Sequence, residues 1–261
     1  MNTLPSTTSE EIWRQFSLAL TNEGIECHFL FSENFDLLSI KNKAIIIHLV
    51  SINNNFMASD LMELQTRYQA KNIKLIHLWE DVWQSKPTQV LARIKSLMGL
   101  NIRIHGRKTI VKKLDKQIAD SFLSENHIQG AVNSRHKFGL YLNEKLMAVA
   151  TFSALRKMRH SDNYKSAELI RFAVKAGYSI NGGLSKLISS FQKTYQPNDL
   201  MTYADRDWSA GEAYLKLGFE NTDVLEPKFF DIDEDYNRKL SDSNSEKNVF
   251  NTGSLKYILK F

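Results

Sequence analysis

The sequence predicts an α/β fold in two domains, each a mixed sheet with helices packed on it. Three observations support this prediction: short β-type runs alternate with amphipathic helical segments, the pattern is interrupted after Gly99, and a second alternation begins at Asp115. With 43% hydrophobic and 24% charged residues among 261, the chain is long and apolar enough for two hydrophobic cores. We therefore expect domains at about 1–100 and 101–261.

The first domain is predicted to have the element order α-β-β-β-α-β-α. Its first helix, over 9–22, has apolar residues at helical spacing and a capping pattern of Thr8 and Glu11 at its start. Three strands, a helix, a buried strand and a closing helix follow at 27–31, 36–40, 44–50, 60–70, 74–79 and 88–98. The single cysteine, Cys27, excludes an internal disulfide, and we expect it to be a buried apolar side chain.

The second domain is predicted to follow a basic stretch, 102–116, that has no clear hydrophobic period. The expected order is α-β-β-β-α-β-α-β, with a hairpin around Asn143 and Glu144 and a glycine-rich turn before the second helix. These elements are expected at 115–125, 138–142, 145–153, 166–174, 182–195, 200–204, 210–217 and 254–259. We expect the polar, acidic stretch 231–247 to be a mobile loop.

The chain shows no signal for a membrane or for secretion. No apolar run approaches the roughly 20 residues that span a bilayer, so we expect no membrane partner. Residues 1–11 have neither the basic start nor the apolar stretch of a secretion signal. These observations predict a cytoplasmic protein.

Positive charge is concentrated in the middle of the chain. Residues 101–200 contain 17 Lys and Arg against 7 Asp and Glu. Such a segment attracts a polyanion; the alternative is a solvated basic surface balanced by the acidic tail. The cations that we expect to bind DNA phosphates are Arg103, Arg107, Lys108, Lys112, Lys113, Arg135, Arg156 and Arg159.

The glycine-rich turn is the main candidate for a cofactor site. A strand that leads through Gly182 and Gly183 into a helix presents free backbone N–H groups and the positive end of the helix dipole, which suit a pyrophosphate. Asn181, Ser185 and Lys186 complete the candidate cofactor-binding set. The alternative is a plain strand-to-helix turn, since the spacing matches neither a Walker loop nor a Gly-x-Gly-x-x-Gly fingerprint.

The second domain resembles the N-acetyltransferase (GNAT) fold and, within it, the phage Mom-type DNA-modification acyltransferases. The resemblance covers about 102–261 and is carried by Gly182-Gly183-Leu-Ser-Lys, by the segment from Leu200 to Arg206, and by Tyr214-x-x-Leu-Gly218-Phe219. It implies acetyl-CoA or a related acyl-CoA as cofactor, with its pyrophosphate on the loop after the fourth strand. This chain departs from the usual loop of that fold, Arg/Gln-x-x-Gly-x-Gly/Ala.

Candidate catalytic residues follow the strand at 200–204. Tyr203 and Asp205 alternate along this strand and share a face. A desolvated Asp205 suits a general base toward an exocyclic amine, and Tyr203 or Tyr214 suits the group that orients or protonates the leaving thiol. His127 is a further candidate for the same site. The alternatives are an Asp205 that caps the next helix and a His127 that is a structural cap.

Two further polar residues precede the glycine turn on one predicted strand. Glu168 and Arg171 are three positions apart, so we expect their side chains on opposite faces of the sheet and not in one pocket.

The first domain is similar to the very-short-patch-repair type of PD-(D/E)XK nuclease, which has a restriction-endonuclease-like fold. The similarity is carried by Phe35-Asp36, the strand at 44–49 and the segment 71–95. Those enzymes hold Mg²⁺ with an Asp and an acidic residue on the next strand. Asp36 stands at the first position, but the second strand reads Ile-Ile-Ile-His48. We therefore expect a degenerate domain without a metal, with Glu80 and Asp81 facing solvent.

The sequence thus predicts a DNA-acting protein of phage type. A Mom-like acyl-type transferase would modify a base amine that is flipped out of the duplex, assisted in DNA binding by an inactive nuclease-like domain. The alternative is a homing-endonuclease-like nuclease, or a remnant of one, whose C-terminal domain only binds DNA. A transferase acting on a small molecule or a protein is a third option and predicts little affinity for DNA.

Overall fold

The computed structural model describes residues 8–32, 34–42, 44–158, 163–241 and 248–261. By its internal contacts the chain forms two compact units, each discontinuous in sequence. The first unit contains 1–87, 205–210 and 225–254, and the second contains 88–204, 211–224 and 255–261. The predicted domains were contiguous stretches, whereas two late segments here join the N-terminal residues.

The N-terminal part of the first unit is a four-stranded sheet with helices. Its elements are α1 (Ser9–Asn22), β1 (Cys27–Leu30), β2 (Leu37–Ile40), β3 (Ile45–Val50), α2 (Ala58–Gln69), β4 (Lys74–Trp79) and α3 (Glu80–Ser85). The strand order is β1-β2-β3-β4, with β3 and β4 parallel and the other pairs antiparallel. Thr8 caps α1 by accepting the amide N–H of Glu11, as the sequence predicts.

Two acidic residues of the first unit are buried, although the sequence analysis expected them in solvent. Glu80 accepts hydrogen bonds from the Ser9 hydroxyl and the Ile52 amide. Asp81 accepts two from the Arg238 guanidinium, at 2.6 and 3.0 Å. Because each carboxylate has partners, its burial is compensated. The partner of Asp81 lies 157 residues away in sequence, so no local pattern reveals it.

The second unit begins within α4 (Pro87–Met98), and all of its elements except the last strand lie before residue 226. They are β5 (Ile102–His105), β6 (Ile110–Lys113), α5 (Lys116–Asn126), β7 (His136–Leu142), β8 (Lys145–Phe152), β9 (Arg156–Lys157), β10 (Lys165–Val174), β11 (Tyr178–Asn181), α6 (Gly183–Tyr195), β12 (Asp199–Asp205), α7 (Glu212–Leu215) and β13 (Glu220–Leu225). The remaining elements of the chain are β14 (Phe230–Ile232) and β15 (Arg238–Leu240), which pair in the first unit, and β16 (Ser254–Lys260).

The large sheet of the second unit has the order β13-β16-β12-β10-β8-β7-β6, and β9 pairs with the start of β10. β7 and β8 form the predicted hairpin, in which Asn143 and Glu144 have φ values of 47° and 63°. α5 packs against Val149 and Ala173 on one side of the sheet. α6 covers the larger core on the other side, which contains Phe152 among its fully buried residues. The unit is thus mixed α/β with helices on both faces.

Besides β9, β11 and β13, which the sequence analysis did not predict, two stretches contain strands where it expected none. Within 102–116 lie β5 and β6, whose positions are mostly exposed, so their apolar residues do not alternate. The prediction of a mobile loop at 231–247 is wrong for its first part, since β14 and β15 pair there. Residues 242–247 lie outside the described residues.

Across the described chain, no helix is both long and apolar enough to cross a membrane.

Candidate functional site

The two central parallel strands of the second unit separate along their length. β10 and β12 pair only where Ser166–Glu168 lies beside Asp199–Met201, and beyond that point both strands continue without pairing with each other. The Thr202 hydroxyl donates to the Leu169 carbonyl at 2.9 Å just past the last pair. We call the region beyond Glu168 and Met201, where β10 and β12 no longer pair with each other, the gap.

A bulge in β10 changes which side chains share a face. The register with β8 shifts between Leu169 and Arg171. Leu169 and Phe172, three positions apart, both pack against the core that α6 covers. Because the extra residue inverts the alternation, Glu168 and Arg171 lie together on the opposite face of the sheet. The prediction that they face opposite sides is therefore wrong.

The glycine turn leads into α6 as the sequence predicts. Gly182 has φ +73° and precedes the helix, and a Cβ built there would meet no atom within 4 Å. Asn181, Gly182 and Ser185 are exposed, whereas Gly183 is buried. The first turn of α6 presents amide N–H groups without intrahelical acceptors beside these exposed positions.

Lys186, the fifth candidate cofactor-binding residue, has protein partners of its own. Its ammonium donates to the Gly106 carbonyl at 3.0 Å and also to the Thr109 carbonyl. A Cβ on Gly106 would lie 2.9 Å from the Asn181 carbonyl oxygen, so the two backbones are in close contact. Lys186 thus ties the turn between β5 and β6 to the start of α6.

The pKa values of Tyr214 and His127 are both affected by the charges of Arg93 and Arg171. Burial raises the pKa of Tyr214, and the Thr202 hydroxyl and the charges of Arg93 and Arg171 oppose the shift. Burial lowers the pKa of His127 to about 3, and the same two arginines lower it further. Both side chains therefore keep their neutral forms near pH 7.

The protonation of His127 is defined by its hydrogen bonds. Its Nδ1 accepts the amide N–H of Gln129 at 3.1 Å, so the neutral ring carries its proton on Nε2. In this form His127 is a hydrogen-bond donor at Nε2 and has no free lone pair for a general base. Arg171 beside it donates to the Gly130 carbonyl at 3.3 Å, which fixes the guanidinium.

Tyr203 lies on the same face of the sheet as Glu168, because it is two positions after Met201, the partner of Glu168 on β12. Burial raises the pKa of Tyr203, and the negative charges of Glu168 and Asp223 raise it further, while Arg156 opposes them. Glu168 is the last residue of β10 that pairs with β12, and its side chain is partly exposed. The Glu168 carboxylate has no hydrogen-bond partner among the described residues.

Asp205, the last residue of β12, is grouped with the first unit. Its Oδ1 accepts the amide N–H of Asp207 at 3.1 Å, and its carbonyl accepts the amides of Trp208 and Ser209. Asp207 is buried and accepts the Thr252 amide and hydroxyl. Burial, and then the charge of Asp205, raise the pKa of Asp207 to about 7. Asp205 therefore acts within the turn that follows β12.

On the strand where the nuclease family has its second acidic residue, the first unit has His48, which is paired with His77. His48 and His77 are neighbours on β3 and β4, fully buried, with their Nδ1 atoms 2.9 Å apart. Asp36, which stands at the first metal position of that family, is exposed. Among the described residues, no group of three or more His, Cys, Asp and Glu side chains is arranged to hold a metal ion.

Cys27, expected to be buried, is only partly buried, and this burial raises the pKa of its thiol.

The structure adds four site residues that sequence reasoning missed or dismissed: Arg93, Glu168, Arg171 and Thr202. Glu168 and Arg171 were separated by the assumption of regular alternation, which the bulge breaks. Arg93 comes from α4, a helix that the analysis assigned to the other domain. A polar residue inside the otherwise apolar strand at 200–204 was the signal that could have indicated Thr202.

Solved structures of acetyltransferases are similar to somewhat more than half of this chain. A Bacillus subtilis acetyltransferase in complex with CoA is 13% identical, with a TM-score of 0.37, over 59% of this chain and 99% of its own. A GNAT-family acetyltransferase from Elizabethkingia anophelis with acetyl-CoA bound is 15% identical, with a TM-score of 0.37, over 59% and 99%. The ribosomal-protein-S18-alanine N-acetyltransferase of Escherichia coli is 16% identical, with a TM-score of 0.38, over 58% and 93%.

No protein-family model and no curated protein matches the chain. The Mom-type and nuclease-like resemblances stay predictions.

Proposed function

We propose that the second unit is an acyltransferase that moves the acyl group of acetyl-CoA, or of a related acyl-CoA, to an amine of a DNA base. The observation that carries this proposal is the gap between β10 and β12, with Glu168 on one face of the sheet and Tyr214 packed against the core on the other. A base and an acid on the two sides of one opening suit a transfer between an amine and a thiol.

The residues around the gap fit an acyl-CoA. Beyond Glu168 and Met201, β10 and β12 no longer pair with each other, and we place the extended arm of the cofactor between them. Gly182 leaves the approach to α6 open, and the first-turn amides with the helix dipole favour a pyrophosphate there. Asn181 and Ser185 supply exposed polar side chains at the same place.

The chemistry needs one proton acceptor and one proton donor. Bound acyl-CoA supplies a thioester, from which the acyl carbon forms a C–N bond with the amine as its C–S bond breaks. Glu168 takes the amine proton, because its carboxylate has no hydrogen-bond partner among the described residues and is partly exposed at the last position of β10 that pairs with β12. We favour Glu168 over Asp205, whose carboxylate already accepts the Asp207 amide.

Tyr214 gives its proton to the departing sulfur. Its pKa is raised by burial, so the phenol is protonated throughout the neutral range. The guanidinium groups of Arg93 and Arg171 act on the same phenol and favour its anionic form once the proton has left. His127 contributes a fixed N–H donor at Nε2 and does not act as a base.

DNA as the acceptor is supported by charge. Residues 101–200 carry 17 Lys and Arg against 7 Asp and Glu, and the candidate cations Lys113, Arg135 and Arg156 are exposed. Arg159, the eighth candidate, lies outside the described residues. Such a surface favours a polyanionic acceptor over a neutral small molecule. We assign the first unit a supporting role in DNA binding, without nuclease activity.

The proposal is tested by thiol release. Purified protein with acetyl-CoA should release free CoA thiol when DNA is added, and Glu168→Gln and Tyr214→Phe should each abolish the DNA-dependent release. Glu125→Gln, which alters an exposed carboxylate of α5, is the matched control and should retain it. Release that does not depend on DNA, or that survives both substitutions, would contradict the proposal.

A further inference from the structure

The cations that form one run in the sequence lie on two separate surfaces of the second unit. β5 is parallel to β11 with His105 beside Asn181, so the turn Gly106–Lys108 lies next to the start of α6. We call Arg103, Arg107 and Lys108, on this strand and turn, the turn surface. All three side chains are exposed.

The second group lies toward the other end of the sheet. The Arg135 amide donates to the Phe152 carbonyl, and Phe152 pairs with Leu169 near the start of β10. β9 pairs with the first residues of β10, Arg156 beside Ser166. We call the cations of this region, which lie on β6, β7 and β9 and directly before β7, the β7 surface: Lys113, Arg135, Lys137, Arg156 and Lys157.

The β7 surface has an excess of unpaired positive charge. Lys113, Arg135, Arg156 and Lys157 are exposed, and Lys137 donates to the Ser134 carbonyl. Within the described part of the chain, none of the five has a carboxylate oxygen within 4.0 Å; the nearby ion pairs belong to Lys112 and Lys116. An anion would therefore meet cations that have no acid to displace.

The β7 surface also contains an aromatic pair. The ring centres of His136 and Tyr195 are 3.9 Å apart, and the Lys113 ammonium lies 5.3 Å from the Tyr195 ring centre. Burial lowers the pKa of His136, and the charges of Arg135, Lys113 and Lys137 lower it further. The Lys113 ammonium thus lies at this ring pair, and Arg135 and Lys137 directly flank His136 in sequence, which gives phosphate-binding and base-stacking groups in the same region.

We propose that the β7 surface, centred on the His136–Tyr195 pair, is where the DNA acceptor binds, and that the turn surface is not part of this contact. The inference rests on the acceptor named in the proposed function and is independent of its cofactor. Nucleic acid fits better than an acidic protein, because unpaired cations beside a pair of aromatic rings match a phosphate backbone that carries bases.

The test compares two triple variants that remove the same charge. Lys113→Gln/Arg135→Gln/Lys157→Gln alters the β7 surface, and Arg103→Gln/Arg107→Gln/Lys108→Gln alters the turn surface. Affinity for a labelled short DNA duplex is measured by fluorescence anisotropy over a range of salt concentrations. The β7 triple should lower the slope of log affinity against log salt by about 3, roughly 1 per phosphate contact, and weaken binding about tenfold or more; the turn triple should leave both within about twofold.

An equal loss of DNA affinity in both triple variants would show that binding depends on net charge alone and would overturn the inference. Unchanged DNA affinity in the β7-surface variant would overturn it as well. Tighter binding of the wild type to phosphatidylserine vesicles than to DNA would also overturn it. The charge-preserving variant Lys113→Arg/Arg135→Lys should bind DNA like the wild type, which separates loss of charge from misfolding. Bound phosphates should raise the His136 pKa in an NMR titration, and an unmoved value would contradict the contact.

Acetyl-CoA binding, measured in parallel by calorimetry, keeps the two proposals distinguishable. A β7 triple that binds acetyl-CoA normally but not DNA supports the inference. A wild type that binds DNA through the β7 surface but does not bind acetyl-CoA contradicts the proposed function and leaves the DNA surface supported.

Discussion

At the scale of single residues, the acid of the proposed reaction is Tyr214. Burial raises its pKa above the ordinary value of 10.0, so loss of its proton should not limit the rate at any pH below about 10. Tyr214→Phe should lower kcat by about 100-fold or more and leave the Kd for acetyl-CoA within about twofold, since only proton transfer is lost. Tyr68→Phe, on α2 of the first unit, is the control. A variant with normal kcat would exclude Tyr214 as the acid.

The buried His48 and His77 predict how stability depends on pH. Burial lowers the pKa of His48 to about 3 and that of His77 well below its ordinary 6.5, so both are neutral in the folded chain and protonated on unfolding below pH 6.5. Stability is therefore lost as pH falls below 6.5, by about 1.4 kcal/mol per pH unit for each histidine. Asp207 opposes this, since burial raises its pKa to about 7 and the folded state holds that proton.

Urea unfolding at several pH values measures this effect through tryptophan fluorescence. All four tryptophans, Trp13, Trp79, Trp83 and Trp208, lie in the first unit, so the signal reports that unit. His48→Leu should reduce the pH dependence between pH 6.5 and 5 by about one proton. An unchanged dependence would show that His48 is not neutral in the folded chain.

At the scale of elements, the turn between β5 and β6 lies in close contact with the glycine turn. A Cβ on Gly106 would lie 2.9 Å from the Asn181 oxygen and 3.1 Å from the Gly182 carbon, both backbone atoms. Gly106→Ala should therefore displace the glycine turn at a cost of about 1–3 kcal/mol and weaken acetyl-CoA binding.

Calorimetry with acetyl-CoA measures the change in affinity. Gly99→Ala is the control, because a Cβ there meets no atom within 4 Å and the cost is only that of its φ of +77°. Wild-type affinity in Gly106→Ala would contradict the role given to this contact.

The elements that the sequence predicted well are those with strong local signals. α1 follows from its apolar spacing and cap, and the β7–β8 hairpin from Asn143-Glu144. β5 and β6 were missed because their positions are mostly exposed and leave no alternation. The bulge in β10 has no local sign, since it is defined by pairing with β8. Positions on the glycine turn were therefore predictable, whereas the shared face of Glu168 and Arg171 was not.

At the scale of the whole molecule, the first unit depends on residues from late in the chain. Phe250 packs on Trp79 at 5.0 Å, and Arg238 pairs with the buried Asp81. No pattern within 1–100 could predict these partners, because they belong to segments that return after the second unit has begun.

Arg238→Met tests this dependence. It leaves the Asp81 carboxylate buried without its partner, which should lower the free energy of unfolding by about 3–5 kcal/mol in the tryptophan signal. The double variant Asp81→Asn/Arg238→Met should recover part of the loss, because the uncompensated charge is gone. A single variant as stable as the wild type would show that the pair does not hold the late segment.

The central claim, acyl transfer to a DNA base, is tested most directly by mass analysis of nucleosides. DNA is incubated with acetyl-CoA and the purified protein, digested, and compared with DNA treated with Tyr214→Phe. The account predicts one nucleoside whose mass is increased by an acetyl group with the wild type and not with the variant. Unmodified nucleosides, despite measured binding of both acetyl-CoA and DNA, would contradict it.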